Sequence, residues 1–146
     1  MIDISNEQDL QFGRGDASYR AAGGEVGITR LVDDFYNLMG SDARFRPIYD
    51  MHPENITLSR EKLAAFLCGW LGGPRLYQEK FGSIGIPAVH RQLDITSNER
   101  DQWLGCMSEA IAAQPYTDDF KRYLLEQLSV PASAIVRVCA QRRADE

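Results

Sequence analysis

The sequence predicts an all-α fold, one helical domain behind a short N-terminal extension. Three observations carry this reading. Apolar residues recur at spacings of three and four along several stretches, the period of a helix with one buried face. Those stretches are punctuated by helix signals, chiefly the capping-box pattern Thr96-x-x-Glu99 and the stop Gly72-Gly73-Pro74. No two segments read as a pair of alternating strands.

Residues 1–22 are polar and weakly patterned, which fits either a mobile extension or a short pre-helix, and the domain is expected over 23–146. From Glu25 the stripe Ile28, Leu31, Val32, Phe35, Met39 predicts a helix that Gly40 ends. Tyr36 lies one residue round from the Phe35 face, so its phenol either reaches solvent at the helix edge or enters the core. Ser41-Asp42 reads as an N-cap for a short helix through Phe45 and Ile48. Pro53 biases His52 away from helical dihedrals, which suits a loop over a pocket and a plain surface loop equally. Leu63, Phe66, Leu67, Trp70 and Leu71 form the most regular stripe, with Thr57 or Ser59 as candidate caps. Residues 75–89 look irregular, with a short turn at Arg75 to Lys80; long connections in helical domains often carry function. Thr96 opens a helix bearing Trp103, Met107, Ala110 and Ile111, and a last helix starts near Thr117 with Phe120, Leu124 and Leu128. Pro131 is expected to kink or interrupt it before Ile135, Val136 and Val138.

Composition narrows the function classes. A chain of 146 residues is long enough to bury a real core, and its 44% hydrophobic and 25% charged content is that of a soluble globular protein. A net charge of −5 argues against a nucleic-acid footprint. No apolar run approaches the roughly 20 residues that span a membrane, and the N-terminus lacks the pattern of a secretory signal, so a cytoplasmic location is expected. Cys68, Cys106 and Cys139 are odd in number and widely spaced, which fits core residues in a reducing compartment. There is no C-x-x-C pair for zinc, no C-x-x-C-H for covalent haem, no G-x-S-x-G elbow and no P-loop. What remains is an imidazole, His90, ahead of a helix, with indoles and phenols on apolar stripes. An iron porphyrin needs such an imidazole, an apolar slot and a few donors opposite. A helical interaction domain with structural His90 and Trp103 would use the same residues.

Phe35-Tyr36, Trp70-Leu71-Gly72-Gly73-Pro74, His90 and Glu99-Arg-Asp-x-Trp103-Leu-x-Cys106-Met107 together resemble the group II truncated haemoglobins. The resemblance spans about residues 17–140. Its weight lies in joint order and spacing, 16 residues from Pro74 to His90 and 13 from His90 to Trp103. It implies a globin-like, two-over-two helical sandwich around non-covalent haem b. By position it implies His90 as the iron ligand and Tyr36 and Trp103 as distal donors. For the next distal position, counting from Tyr36 lands on Tyr49, whereas a longer loop brings in His52; His52 is favoured, with Tyr49 close behind. Ser59 and Leu63 match positions facing the gas, and Phe66, Leu93 and Met107 match packing against the porphyrin.

The chain departs from many relatives, which place arginine just before the proximal histidine and phenylalanine three residues after it. Here Val89 and Leu93 stand there, leaving Lys62, Tyr77 and Arg91 as candidate partners of the haem propionates. The implied function is binding of dioxygen, NO and CO, used for NO or peroxide chemistry (an NO dioxygenase or peroxidase-like activity) with an unidentified reductase rather than for bulk oxygen transport. A haem-based gas sensor and a haem-free interaction domain are the alternatives. No nucleic-acid or membrane partner is expected, and the chain is expected as a monomer or weak homodimer.

Overall fold

The computed structural model describes residues 12–82 and 93–145, and among these every regular element is a helix. In chain order they are α1 (Ala17–Ala21), α2 (Gly24–Ser41), a 3-10 turn (Ala43–Phe45), α3 (Arg46–Asp50), α4 (Ile56–Trp70), α5 (Leu76–Phe81), α6 (Ser97–Ala112) and α7 (Asp118–Asp145). The most extensive packing joins α6 to α7 and α2 to α4, and α2 also packs on α6, which links the two pairs into a two-over-two sandwich. No helix is long and apolar enough to cross a membrane among the described residues.

The core forms where the stripes meet. Ile28, Leu31, Val32, Phe35 and Met39 of α2 close on Leu67 and Cys68 of α4, Cys106 and Met107 of α6, and Phe120, Leu124 and Leu128 of α7. Because α2 is covered from two sides, its buried face is broad enough to include Tyr36, which is only 5% exposed. Of the two readings of Tyr36, burial is therefore the one realised. All three cysteines are buried, and the Cys106 thiol donates to the Phe35 carbonyl at 3.4 Å.

Several helix ends differ from the sequence expectation, each for a local reason. Gly40 does not stop α2, which runs on to Ser41. The glycine serves a close approach instead, because a Cβ there would lie 3.0 Å from the Tyr49 ring. Asp42 caps the following turn by accepting from the Arg44 N–H at 2.9 Å. The cap of α4 is Asn55, whose side chain accepts from the Leu58 N–H, so Thr57 and Ser59 fall inside the helix. Residues 76–81 form α5, a more regular element than the turn expected at Arg75 to Lys80. Pro131 does not interrupt α7. Its missing N–H removes one rung, while Leu124 and Leu128 before it and Cys139 after it are buried and hold both halves in place.

Other signals act as the sequence predicts. Thr96 and Glu99 form a reciprocal capping box at the start of α6, with the Thr96 N–H donating to Glu99 Oε1 at 2.6 Å. At the end of α4 the Gly73 N–H donates to the Cys68 carbonyl at 2.8 Å and the Gly72 N–H to the Gly69 carbonyl at 3.0 Å, a Schellman motif with Gly72 at φ +95°. Both glycines also admit the N-terminal stretch. A Cβ on Gly72 would lie 1.8 Å from the Gly15 carbonyl oxygen, and one on Gly73 would enter the Tyr19 ring. The Tyr19 N–H donates to the Leu71 carbonyl, and Phe12 packs its ring 5.3 Å from Phe120. Of the two readings of the N-terminal stretch, the short helix is present at Ala17–Ala21.

Candidate functional site

Between the two helix pairs lies a cavity of about 650 Å³. Helices α2, α4, α6 and α7 each contribute wall, and α3, α5 and the stretch before α6 add the rest. Its lining is mainly apolar: Ile48, Met51, Leu63, Phe66, Leu93, Ile95, Leu128, Pro131, Ala132 and Ile135. Pro131 contributes its ring to this apolar wall. The polar lining consists of Tyr36, His52, Ser59, Lys62, Tyr77, Glu99, Arg100 and Trp103.

Tyr36 and His52, two of the expected distal residues, come together in this wall. Tyr36 on α2 places its hydroxyl 3.4 Å from His52 Nε2, with the two rings nearly perpendicular and 5.4 Å apart. The other ring nitrogen, Nδ1, lies 2.8 Å from the Ile48 carbonyl. A carbonyl only accepts, so Nδ1 carries the proton, and in the neutral ring Nε2 accepts from the Tyr36 O–H. Burial pushes the Tyr36 phenol well above its ordinary pKa, opposed by the positive charge of Arg60, so the group stays protonated and a donor. Trp103, half-buried on α6, sets its ring edge-on to Phe35 at 5.2 Å. Its indole N–H has no hydrogen-bond partner among the described residues.

The expected site residues sort clearly. Tyr36, His52, Trp103, Ser59, Lys62, Leu63, Phe66, Tyr77 and Leu93 all line the cavity. Tyr49 is not among the residues that line it. Ile48 on α3 and His52 just beyond its end both line the cavity, while Tyr49 is turned away from Ile48 by a third of a helical turn and packs on Gly40. Met107 does not line it either. One turn beyond Trp103, it is fully buried in the core. His90 and Arg91 lie outside the described residues.

Sequence reasoning missed Met51, Ile135 and, most usefully, Arg100. The Arg100 Nε donates to its neighbour Asp101 at 3.1 Å, and the side chain keeps 30% exposure at the cavity wall. Its signal was available: Arg100 stands three residues before Trp103, on the same helix face. Lys62, on the opposite pair of helices, makes no ion pair among the described residues and rests 5.6 Å from the Phe81 ring. An apolar slot with cationic groups in its wall and a tyrosine, histidine and tryptophan grouped at one side suits a flat, largely apolar dicarboxylate such as haem. Its volume falls within the range of roughly 300–1,000 Å³ typical of cofactor pockets.

Comparison with known proteins agrees. The family model of the bacterial-like globins matches residues 17–135. A group 2 truncated haemoglobin of Bacillus subtilis is 33% identical over 120 residues, covering 82% of this chain and 88% of that protein. The solved structure of a cold-adapted truncated haemoglobin from the Antarctic marine bacterium Pseudoalteromonas haloplanktis TAC125 superposes with a TM-score of 0.78 at 32% identity, covering 82% of this chain and 96% of that one. A group II 2-on-2 haemoglobin from the plant pathogen Agrobacterium tumefaciens gives a TM-score of 0.77 at 28% identity, over 81% of this chain and 92% of that one. The chain belongs to the bacterial-like globin family, as a group II truncated haemoglobin with a non-covalent haem cofactor.

Proposed function

We propose that the chain holds dioxygen, and equally NO and CO, at a haem iron ligated by His90, and that it retains the ligand long enough for chemistry rather than for bulk delivery. Haem supplies an iron able to take a diatomic ligand. The protein supplies retention, and the observation that carries the reading is the grouping of Tyr36, His52 and Trp103 on the wall of one apolar cavity.

Trp103 offers its indole N–H to the ligand. Tyr36 offers its single O–H proton, for which His52 Nε2 competes with the ligand. In a dry pocket, hydrogen bonds to a ligand that carries partial negative charge are the strong kind. Each is worth about 1.5–3 kcal/mol, or roughly ten- to a hundredfold in release rate. Slow release favours reactions on the held ligand: oxidation of NO to nitrate, or peroxide chemistry, with an external reductase restoring the ferrous state. His90 is assigned as the iron ligand from the family resemblance.

The test is an absorption spectrum of protein purified from haem-replete cells. A Soret band with oxygen-dependent visible bands is expected, together with loss of normal five-coordinate ferrous bands in His90→Ala. Protein that carries no Soret band would be a haem-free helical domain, and an unaltered ferrous spectrum in His90→Ala would remove His90 as the ligand.

A further inference from the structure

Tyr36 owes its position to a residue that does not line the cavity. Arg60 follows Ser59 on α4, and its side chain reaches across to α2. There Nη1 donates to the Asp33 carboxylate at 3.2 Å and to the Asp33 backbone carbonyl at 3.4 Å, while Nη2 donates to Asn37 Oδ1 at 2.7 Å. Asp33 and Asn37 are four residues apart on α2 and flank Tyr36. The guanidinium they hold lies over the Tyr36 ring, with its carbon 5.7 Å from the ring centroid. The ring is thus held between Arg60, Phe35 at 5.1 Å and His52 at 5.4 Å.

A clamp joining α2 to α4 needs only the contacts to Asp33 and Asn37. The guanidinium over the phenol does more. When a phenol donates a hydrogen bond, its oxygen gains partial negative charge, and a fixed cation beside the ring stabilises that charge more than it stabilises the undonated state. We infer that Arg60 is a positioning residue for the distal hydroxyl, fixing the Tyr36 ring and strengthening its O–H as a donor to the ligand in the cavity. The inference rests on the haem reading of that cavity. The Tyr36 phenol itself responds in the same sense: burial raises its pKa and the Arg60 charge acts against that rise.

The test is a double-mutant cycle on oxygen release from the ferrous protein, using Arg60→Gln, Tyr36→Phe and the pair. Glutamine keeps an amide donor toward α2 and removes the charge. Arg60→Gln is expected to speed release roughly two- to fivefold when Tyr36 is present and to change nothing when residue 36 is phenylalanine. Arg60→Lys, which keeps the charge and loses the fork, should fall between wild type and Arg60→Gln. Equal factors in both backgrounds would show Arg60 to be a helix clamp alone and overturn the inference. A second readout is the Tyr36 ring resonance in ¹³C-tyrosine spectra of the protein as purified, under carbon monoxide. It should move in Arg60→Gln and partly return in Arg60→Lys, and an unmoved resonance would also overturn the inference. Protein without a Soret band defeats the haem reading, while this resonance still judges the contact between Arg60 and Tyr36.

Discussion

The Tyr36 hydroxyl and the His52 ring form a directed pair: Nε2 of His52 stands 3.4 Å from the hydroxyl while Nδ1 is committed to the Ile48 carbonyl at 2.8 Å. The Ile48 carbonyl requires a proton on Nδ1; in the neutral ring Nε2 then accepts from the Tyr36 O–H and competes for that proton with any ligand in the cavity. Replacing His52 with phenylalanine should therefore release the Tyr36 O–H to the ligand. The carbon monoxide stretch is expected to fall in wavenumber and oxygen release to slow. Tyr49→Phe should leave both unchanged, since Tyr49 packs on Gly40. Equal spectral shifts in the two variants would put Tyr49 back on the ligand side.

Trp103 gives a cleaner donor, because its N–H has no partner to compete with among the described residues. Trp103→Phe keeps a ring against Phe35, so packing is largely preserved. The expected result is haem retained, with oxygen release faster by roughly ten- to a hundredfold. Stopped-flow displacement of oxygen measures it. A rate within error of wild type removes Trp103 from the donor role.

Much of this site could be read from the chain before its fold was known, for identifiable reasons. Tyr36 and Trp103 sit on long helices, where the family resemblance could mark them by position, while periodicity alone left Tyr36 between solvent and core. That His52 lines the cavity while Tyr49 packs on Gly40 could not be read by counting, because it depends on where the five-residue α3 begins and ends. Arg100 escaped because a charge in the first turn of a helix reads as solvated surface until the opposing walls are known. Pro131 does not bring the interruption its local rule allows, because packing on both sides of it outweighs the cost of a lost rung.

Lys62 and Arg100 make a further prediction about the cofactor. Both line the cavity, and residue 89, just before His90, is an uncharged valine. Their charges are suited to the carboxylates at one edge of haem. Arg100 is partly exposed, so solvent screening keeps its contribution small. Lys62→Met and Arg100→Gln should each speed haem transfer to apomyoglobin roughly two- to fivefold, with little change in oxygen release. If transfer rates stay at the wild-type value in both, the carboxylates are held by other groups.

The contact between Gly72 and Gly15 separates two costs that glycine substitutions usually mix. Both residues have positive φ, +95° and +51°. A Cβ on Gly15 would meet nothing within 4 Å, so Gly15→Ala should cost only the left-handed backbone strain, about 1–2 kcal/mol. A Cβ on Gly72 would lie 1.8 Å from the Gly15 carbonyl oxygen. That atom belongs to backbone and cannot turn aside as a side chain could. Either the N-terminal stretch must lift from the end of α4, losing the Tyr19 to Leu71 hydrogen bond, or α4 must lose its Schellman turn. Gly72→Ala should therefore cost about 2–5 kcal/mol, the strain plus an overpacking term. Urea unfolding followed by circular dichroism compares the two. Similar midpoints for Gly15→Ala and Gly72→Ala would mean that the N-terminal stretch does not press on α4 in solution, and that the glycine at position 72 serves the helix stop alone.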